Sequence, residues 1–419
     1  MKNPSTAAPA DPSFHEISSC EVCGGSQLQE VLDLGAQPLC DDLVPVGSDL
    51  QCPRYPINIL YCATCRTAHQ RYQVPKKTLF PRSYHYRSRF TLDVVNGMRE
   101  LVASCAQTLG GLAGLKVLDI GCNDGTLLSI FKQQGCSVVG VEPTGAAEDA
   151  KSVGPVYNEY FTRAVAERIA SEHGVPDIIT FTNVFAHIED LKSLLDALAL
   201  LTGPRTTIVI ENHYFGAVLD RNQFDTFYHE HPRTYSATSF RYIAQTLGCH
   251  LRHVELPGRY GGNIRVFMSR AGSDAAGDPA LQEREARIGE QVQGMRAAYH
   301  QWRDSTRSAL DGAFAKYGPI AGKAFPGRAA ILVHSLGVDS DRMPVVYEKP
   351  GSQKIGNYLP GTRIAIAGDD TLKERLASTP VLLNWAWHIS AEITGYLSQL
   401  GFRGTLIDVM PSYGERTIK

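Results

Sequence analysis

The sequence has no long apolar run. No stretch of its 419 residues approaches the ~20 apolar residues that a membrane span needs, and the densest, Pro380 to Ile389, is interrupted by Asn384 and His388. It has no surplus of charge either. A formal net charge of −2 supplies no global attraction for nucleic acid or an anionic membrane, leaving room only for a local phosphate site. The opening MKNPSTAAPADPSF has neither the basic start nor the apolar core of a signal peptide and reads as a frayed polar tail. No short-period repeat is present. These absences point to a cytosolic globular chain whose ten cysteines are thiols or metal ligands rather than disulfides. The length corresponds to two to four domains, and 43% apolar residues can fill several cores.

What is there falls into three segments after the tail. Residues up to about 80 hold six of the cysteines and read as loops and short strands. Next, KVLDIGC, SVVGVEP, DIITFTN and TTIVIEN are spaced as parallel strands with helices between them. From Asp278 to Tyr317 runs a long helical stretch. Its apolar stripe of Leu281, Ile288, Val292, Met295, Tyr299 and Trp302 is suited to packing on a neighbouring domain. Beyond it, AAILVHSL, MPVVYEK, RIAIAGD, PVLLNWAW and GTLIDVMP give a second strand–helix alternation and a further Rossmann-like unit. The expected division is 1–80 for tail and metal domain, 81–275 for a first α/β domain, and 276–419 for linker helix and second α/β domain.

Cys20-x-x-Cys23 and Cys62-x-x-Cys65 are two thiolate pairs at the spacing that presents both sulfurs of a turn to one tetrahedral ion. Gly24 and Gly25 suit the tight backbone of a metal knuckle. Four sulfurs fill the shell of zinc, so one structural ion is expected, in a domain too small to fold comfortably without it. Four merely buried cysteines are the plain alternative. A redox role fits worse, because neither pair opens a helix after a strand. Cys40 and Cys52 are spare.

In Val117–Gly125, VLDIGCNDG, an apolar strand reaches Asp119, and Gly121 and Gly125 permit a tight turn around Asn123 before the helix TLLSIFKQQG. The next strand ends in Glu142, about 20 residues on, where a carboxylate can accept from both hydroxyls of a ribose. The spacing is DxGxxxG rather than the dinucleotide GxGxxG, and no basic residue stands ready for a pyrophosphate. S-adenosylmethionine, with a ribose and adenine but no phosphate, fits this better than NAD. Asn183, closing DIITFTN, belongs at the rim near the methionine end, and Phe161 either flanks the adenine or is a core aromatic.

Protic groups gather after two strands, in Asn183-Val-Phe-Ala-His187 and in Phe224-Asp-Thr-Phe-Tyr-His-Glu-His231. Loops at this edge of an α/β sheet carry chemistry, and histidine is the side chain best suited to moving a proton near neutrality. A surface loop with incidental histidines is one alternative. A metal site from His229, Glu230 and His231 is another, weakened by the absence of a matching third segment.

Over nearly its whole length the chain resembles the nucleotide-sugar C-methyltransferases, typified by deoxysugar 3-C-methyltransferases. The resemblance rests on the paired CxxC, YHYRS at Tyr84 to Ser88, VLDIGCNDGTLL, VVGVEP, NVFAHIEDL, FDTFYHEH, GGNIRVF at Gly261 to Phe267 and NYLPGTRIAI at Asn357 to Ile366. It implies a zinc domain, a Rossmann-like class I S-adenosylmethionine domain and a C-terminal Rossmann-like domain, in that order. It also implies a nucleotide-diphosphate sugar as substrate, in a monomer or small homo-oligomer in the cytoplasm, with no nucleic acid or membrane as partner. His231 would remove the proton alpha to a 4-keto group, with Tyr228, Glu230, His187 and Tyr86 around it and Tyr84 a rival to Tyr86. The carbon, once an enolate, is electron-rich enough to take a sulfonium methyl. His229, expected to face solvent, replaces the family's usual acidic residue. Asn263 stands where Ser is usual, AGKAFPGR (Ala321 to Arg328) replaces a sequence close to GYGAPAKG, and Glu348 replaces Asp. Sugar N- or O-methylation would use the same pocket. An RNA or protein methyltransferase is a more distant reading, since the metal domain has no basic stripe with interleaved aromatics.

Overall fold

The computed structural model describes residues 14–80, 86–274 and 278–419; the opening tail and Tyr84 lie outside them. The N-terminal segment supplies β1 (His15–Glu16), β2 (Leu28–Pro38), β3 (Val44–Pro45), β4 (Arg54–Cys62), β5 (Thr67–Gln70) and β6 (Tyr72–Gln73). The expectation of loops and short strands is corrected here: β2 and β4 are 11 and nine residues long and pair along most of their length. In β4, Ile57, Ile59 and Tyr61 alternate into the core. In β2 the register shifts at Glu30/Leu32 and again at Asp33/Gly35. These irregularities break the period-two pattern by which a strand is read from sequence.

The middle of the chain forms β7 (Lys116–Ile120), β8 (Ser137–Val141), β9 (Val156–Tyr157), β10 (Ile178–Thr182), β11 (Thr207–His213), β12 (Arg233–Thr234), β13 (His250–Glu255) and β14 (Asn263–Ser269). Seven of them make one sheet in the order β13-β14-β11-β10-β7-β8-β9. β7 to β11 run parallel in it, while β14 lies antiparallel between β11 and β13. The strand order reverses between β7 and β10, which opens a crevice at their carboxyl ends. β12 does not join this sheet. It pairs with β5 and completes a four-stranded sheet, β12-β5-β4-β2.

The last third contributes β15 (Ala321–Lys323), β16 (Val345–Glu348), β17 (Asn357–Tyr358), β18 (Ala365–Gly368), β19 (Val381–Asn384), β20 (Gly404–Asp408) and β21 (Gly414–Ile418). The order is β21-β20-β19-β15-β16-β18-β17-β3, so the N-terminal β3 closes one edge. Five of the strands, β20-β19-β15-β16-β18, are parallel and reverse order between β15 and β19, a second Rossmann-like switch point. AAILVHSL is the first helix of this unit, Ala329–Leu336, apolar and buried nearly all round, followed by Asp369–Arg375 and Ser390–Leu400. The helix Pro279–Tyr317 is capped by Asp278, whose carboxylate accepts from Ala280 N at 3.0 Å, with Pro279 in its first turn. Its buried Ile288, Val292, Met295, Tyr299 and Trp302 join a core shared with β2, β4 and Ala329–Leu336. No helix among the described residues is long and apolar enough to cross a membrane.

Candidate active site and metal centre

The two cysteine pairs meet where β4 turns into β5. The Sγ atoms of Cys20, Cys23, Cys62 and Cys65 all lie within 4.8 Å of one another, with Cys20–Cys65 at 3.3 Å and Cys23–Cys62 at 3.6 Å. Zinc–sulfur bonds of about 2.3 Å place tetrahedral sulfurs about 3.8 Å apart, so the cluster fits one zinc ion. Cys52 is occupied elsewhere, donating to Asp42 O at 3.1 Å.

At the first switch point the glycine turn is shaped as its residues require. Gly121 has φ +77°, and a Cβ there would lie 2.5 Å from Val184 Cγ2; Gly125 has φ +78° and would meet Ala150 Cα at 2.9 Å. Glu142 is buried, and its carboxylate accepts from Asn123 N at 3.0 Å and Thr144 N at 2.8 Å. Each oxygen has taken one backbone donor and keeps capacity for another, which fits the two hydroxyls of a ribose. Asp119 accepts from Thr180 Oγ1 at 2.7 Å. Burial pushes it up to about 7, with the Thr180 bond opposing and the charge of Glu142 adding. The side chain of Asn123, a candidate cofactor contact by sequence, is engaged by the chain itself. It accepts from Ser88 N at 3.0 Å and Ser88 Oγ at 3.1 Å and donates to Tyr86 O at 3.1 Å, tying the Tyr86–Ser88 segment over the turn. Asn183 has φ +55° at the end of β10, its N–H bonded to Glu211 O, and Phe161 packs half-buried against the core.

The second cluster forms where three loops converge. His231 Nδ1 lies 3.0 Å from Thr226 O, and His231 Nε2 lies 3.1 Å from His187 Nε2. A carbonyl only accepts, so Nδ1 carries the proton and the Nε2 lone pair points at His187. Tyr228 packs against the imidazole in a tilted arrangement, with centroids 4.2 Å apart and planes at 41°. Burial pushes His187 down to about 4 and His231 well below the usual histidine range, with repulsion from His187 and His213 adding for His231. Both are therefore neutral near pH 7.

Two expected neighbours stand apart from this pair. Tyr86 is 40% exposed beside the glycine turn, and among the described residues no hydrogen bond or ring contact joins it to either histidine. Glu230 is buried; burial and the nearby Asp41 raise its pKa, with Lys354 opposing. His229 does not face solvent, contrary to expectation. It is buried, with Nε2 3.0 Å from Tyr55 O, because the loop is sandwiched against the N-terminal sheet.

Three domain models match consecutive stretches of the chain: "Putative zinc binding domain" over residues 20–80, "Methyltransferase domain" over 90–254 and "C-methyltransferase C-terminal domain" over 259–411. C-methyltransferase NovU of Streptomyces niveus is 28% identical over 393 residues, which is 90% of this chain and 91% of that one. The chain is an S-adenosylmethionine-dependent C-methyltransferase. Its methyl donor is S-adenosylmethionine, and it has a zinc-binding N-terminal domain. The ubiquinone biosynthesis O-methyltransferase of Cronobacter sakazakii is 32% identical over 121 residues, 28% of this chain and 47% of that one. The solved magnesium protoporphyrin IX methyltransferase from Synechocystis PCC 6803 with bound SAH covers 43% of this chain at 16% identity and TM-score 0.34.

In this C-methyltransferase, sequence reasoning missed His213, Asp225, Arg328, Trp387 and His388. The His213 ring lies 5.4 Å from His231 at the end of β11. Arg328 grips Asp225 with two bonds of 2.8 and 2.7 Å, and Trp387 Nε1 donates to Asp225 at 2.9 Å. His388, pushed down to about 3 by burial and then by Arg328, follows β19. The signal was available: all but Asp225 follow parallel strands at carboxyl ends. The carboxyl-edge rule holds for both sheets, and the edge of the second meets the His231 loop. The unusual Asn263 also has a structural reason. It donates to the buried Glu211 at 3.1 Å alongside Arg259 and Arg265.

Proposed function

We propose that this enzyme methylates C3 of a nucleotide-linked 4-keto-sugar and that His231 generates the reacting carbanion. The observation that carries the reading is the hydrogen bonding of His231. Thr226 O fixes its Nδ1 proton, so its neutral Nε2 is poised to accept one. His187 Nε2, 3.1 Å away, then donates to that lone pair, and a keto-sugar entering between the rings takes up both the lone pair and the N–H. A ketone oxygen and its α-carbon are two bonds apart, a comparable span. His231 can take the α-proton while His187 donates to the developing oxyanion. The donor, when bound, supplies an electrophilic methyl. Asp119, Gly121, Gly125 and Glu142 hold it at the adjacent crevice, and Asn183 and Phe161 line its rim. Tyr228 packs against the imidazole, Tyr86 sits beside the glycine turn rather than the histidines, and the second crevice, behind Arg328 and His388, takes the nucleotide end. We infer a cytoplasmic protein dividing near residues 80 and 275.

Methylation on oxygen or nitrogen would need a base but no enolate, which gives the test. In deuterated water without methyl donor, the wild-type enzyme should exchange the α-proton of a nucleotide 4-keto-sugar. His231→Asn should lose exchange and methylation by roughly 10²–10⁴-fold while still binding S-adenosylmethionine. Near-normal turnover of that variant would move the base to another group.

A further inference from the structure

Arg233, two residues beyond His231, is completely buried. Its backbone forms β12, which pairs with β5 at Arg233↔His69 and Thr234↔Ala68, so the loop bearing His231 is the fourth strand of the metal domain's own sheet. Gln70 reinforces the seam: its N–H bonds Pro232 O at 2.8 Å and its side chain donates to Tyr228 O at 3.1 Å.

The guanidinium reaches three further segments. Its NH1 donates to Glu21 Oε2 at 2.6 Å, its Nε to Tyr235 OH at 2.9 Å, and NH1 and NH2 each to Glu189 O at 3.4 Å. Glu189 lies two residues beyond His187. Glu21 sits between the metal-binding Cys20 and Cys23 and also accepts from Gln73 Nε2 at 2.7 Å. His69 completes the connection, with Nδ1 3.6 Å from Glu21 and Nε2 3.3 Å from Cys20 Sγ. One planar fork thus touches the metal knuckle, the His187 turn and the His231 loop. Second-sphere partners of this kind orient what they hold, and a rigid fork fits such convergence better than a flexible ammonium.

We propose that Arg233 is a positioning residue for methyl transfer, locking the His187 turn and the His231 loop to the zinc knuckle and so fixing the distance between the two imidazoles. The metal domain then serves the chemistry by holding its loops, without touching substrate. The idea rests on the proposed use of His187 and His231, and the test separates the two.

Full-length, zinc-loaded Arg233→Met and Arg233→Lys would be compared with wild type. Zinc content and S-adenosylmethionine affinity should be unchanged. In histidine-labelled protein, the ring signals of His187 and His231 should shift while that of His250, on the edge strand β13 of the other sheet, stays. The kcat should fall roughly 30- to 100-fold, as misplacement by an ångström does, with little change in KM for the acceptor. Lysine should restore part of the loss. Should Arg233→Met fail to fold, Glu21→Gln, which keeps the shape but removes the charge that holds the fork, should move the same signals. Folded variants with unmoved histidine signals and wild-type kcat would overturn the proposal. Shifted signals in an enzyme whose wild type methylates no keto-sugar would support the positioning role and sink the functional reading instead.

Discussion

The role proposed for His231 requires that its two nitrogens be differentiated. Thr226 O holds the proton on Nδ1, and burial plus neighbouring His187 and His213 keep the ring neutral. The same economy of donors governs Glu142, whose oxygens each accept one backbone N–H and have one direction left, which the proposed ribose contact would use. A charged hydrogen bond contributes ~1.5–3 kcal/mol, so Glu142→Gln should weaken S-adenosylmethionine roughly 10- to 150-fold in calorimetry with the fold intact. Unchanged affinity would place the ribose elsewhere. Glu142 was legible from sequence because a strand end and a spacing of about 20 residues define it. The partners of Asn123 were not, since they come from the Tyr86–Ser88 segment, far upstream.

At the scale of elements, the segment Phe224–Tyr235 is the junction of the molecule. Arg328 and Trp387 hold its Asp225 from one side, and Tyr55 O and β5 hold His229 and Arg233 from the other. Its histidine density was readable; its burial was not, because a polar loop shows no periodicity and its covering layers lie more than 100 residues away in sequence. That burial has a pH signature. His229 is held down to about 4, against about 6.5 in an unfolded chain. Between those values the unfolded state binds a proton that the folded state refuses, so stability is lost as pH falls through this window. By pH 5 one such histidine costs about 2 kcal/mol. Urea unfolding at pH 7 and pH 5 should therefore show a larger loss for wild type than for His229→Asn, by about that amount. Parallel pH dependence in the two proteins would mean that His229 is solvated.

For the whole molecule, two α/β sheets and the four-cysteine knuckle were visible in the order of strands, glycines and CxxC pairs. The exchange of strands between segments was not. β3 leaves the N-terminal segment to close the last sheet, and β12 leaves the middle segment to complete the first. Two-residue strands carry too little pattern to be read, yet they and the helix Pro279–Tyr317 tie the three units together. The result brings the carboxyl edge of the second sheet, through Arg328, Trp387 and His388, against the loop that carries His231. A two-ended substrate, with a sugar at the histidines and a nucleotide beyond Arg328, suits that arrangement. The most direct measurement is the site of methylation, read by mass spectrometry and carbon NMR after supplying methyl-labelled S-adenosylmethionine with a panel of nucleotide 4-keto-sugars. The account predicts a new carbon–carbon bond at C3, next to the ketone, in at least one of them. A label found on oxygen or nitrogen would contradict it.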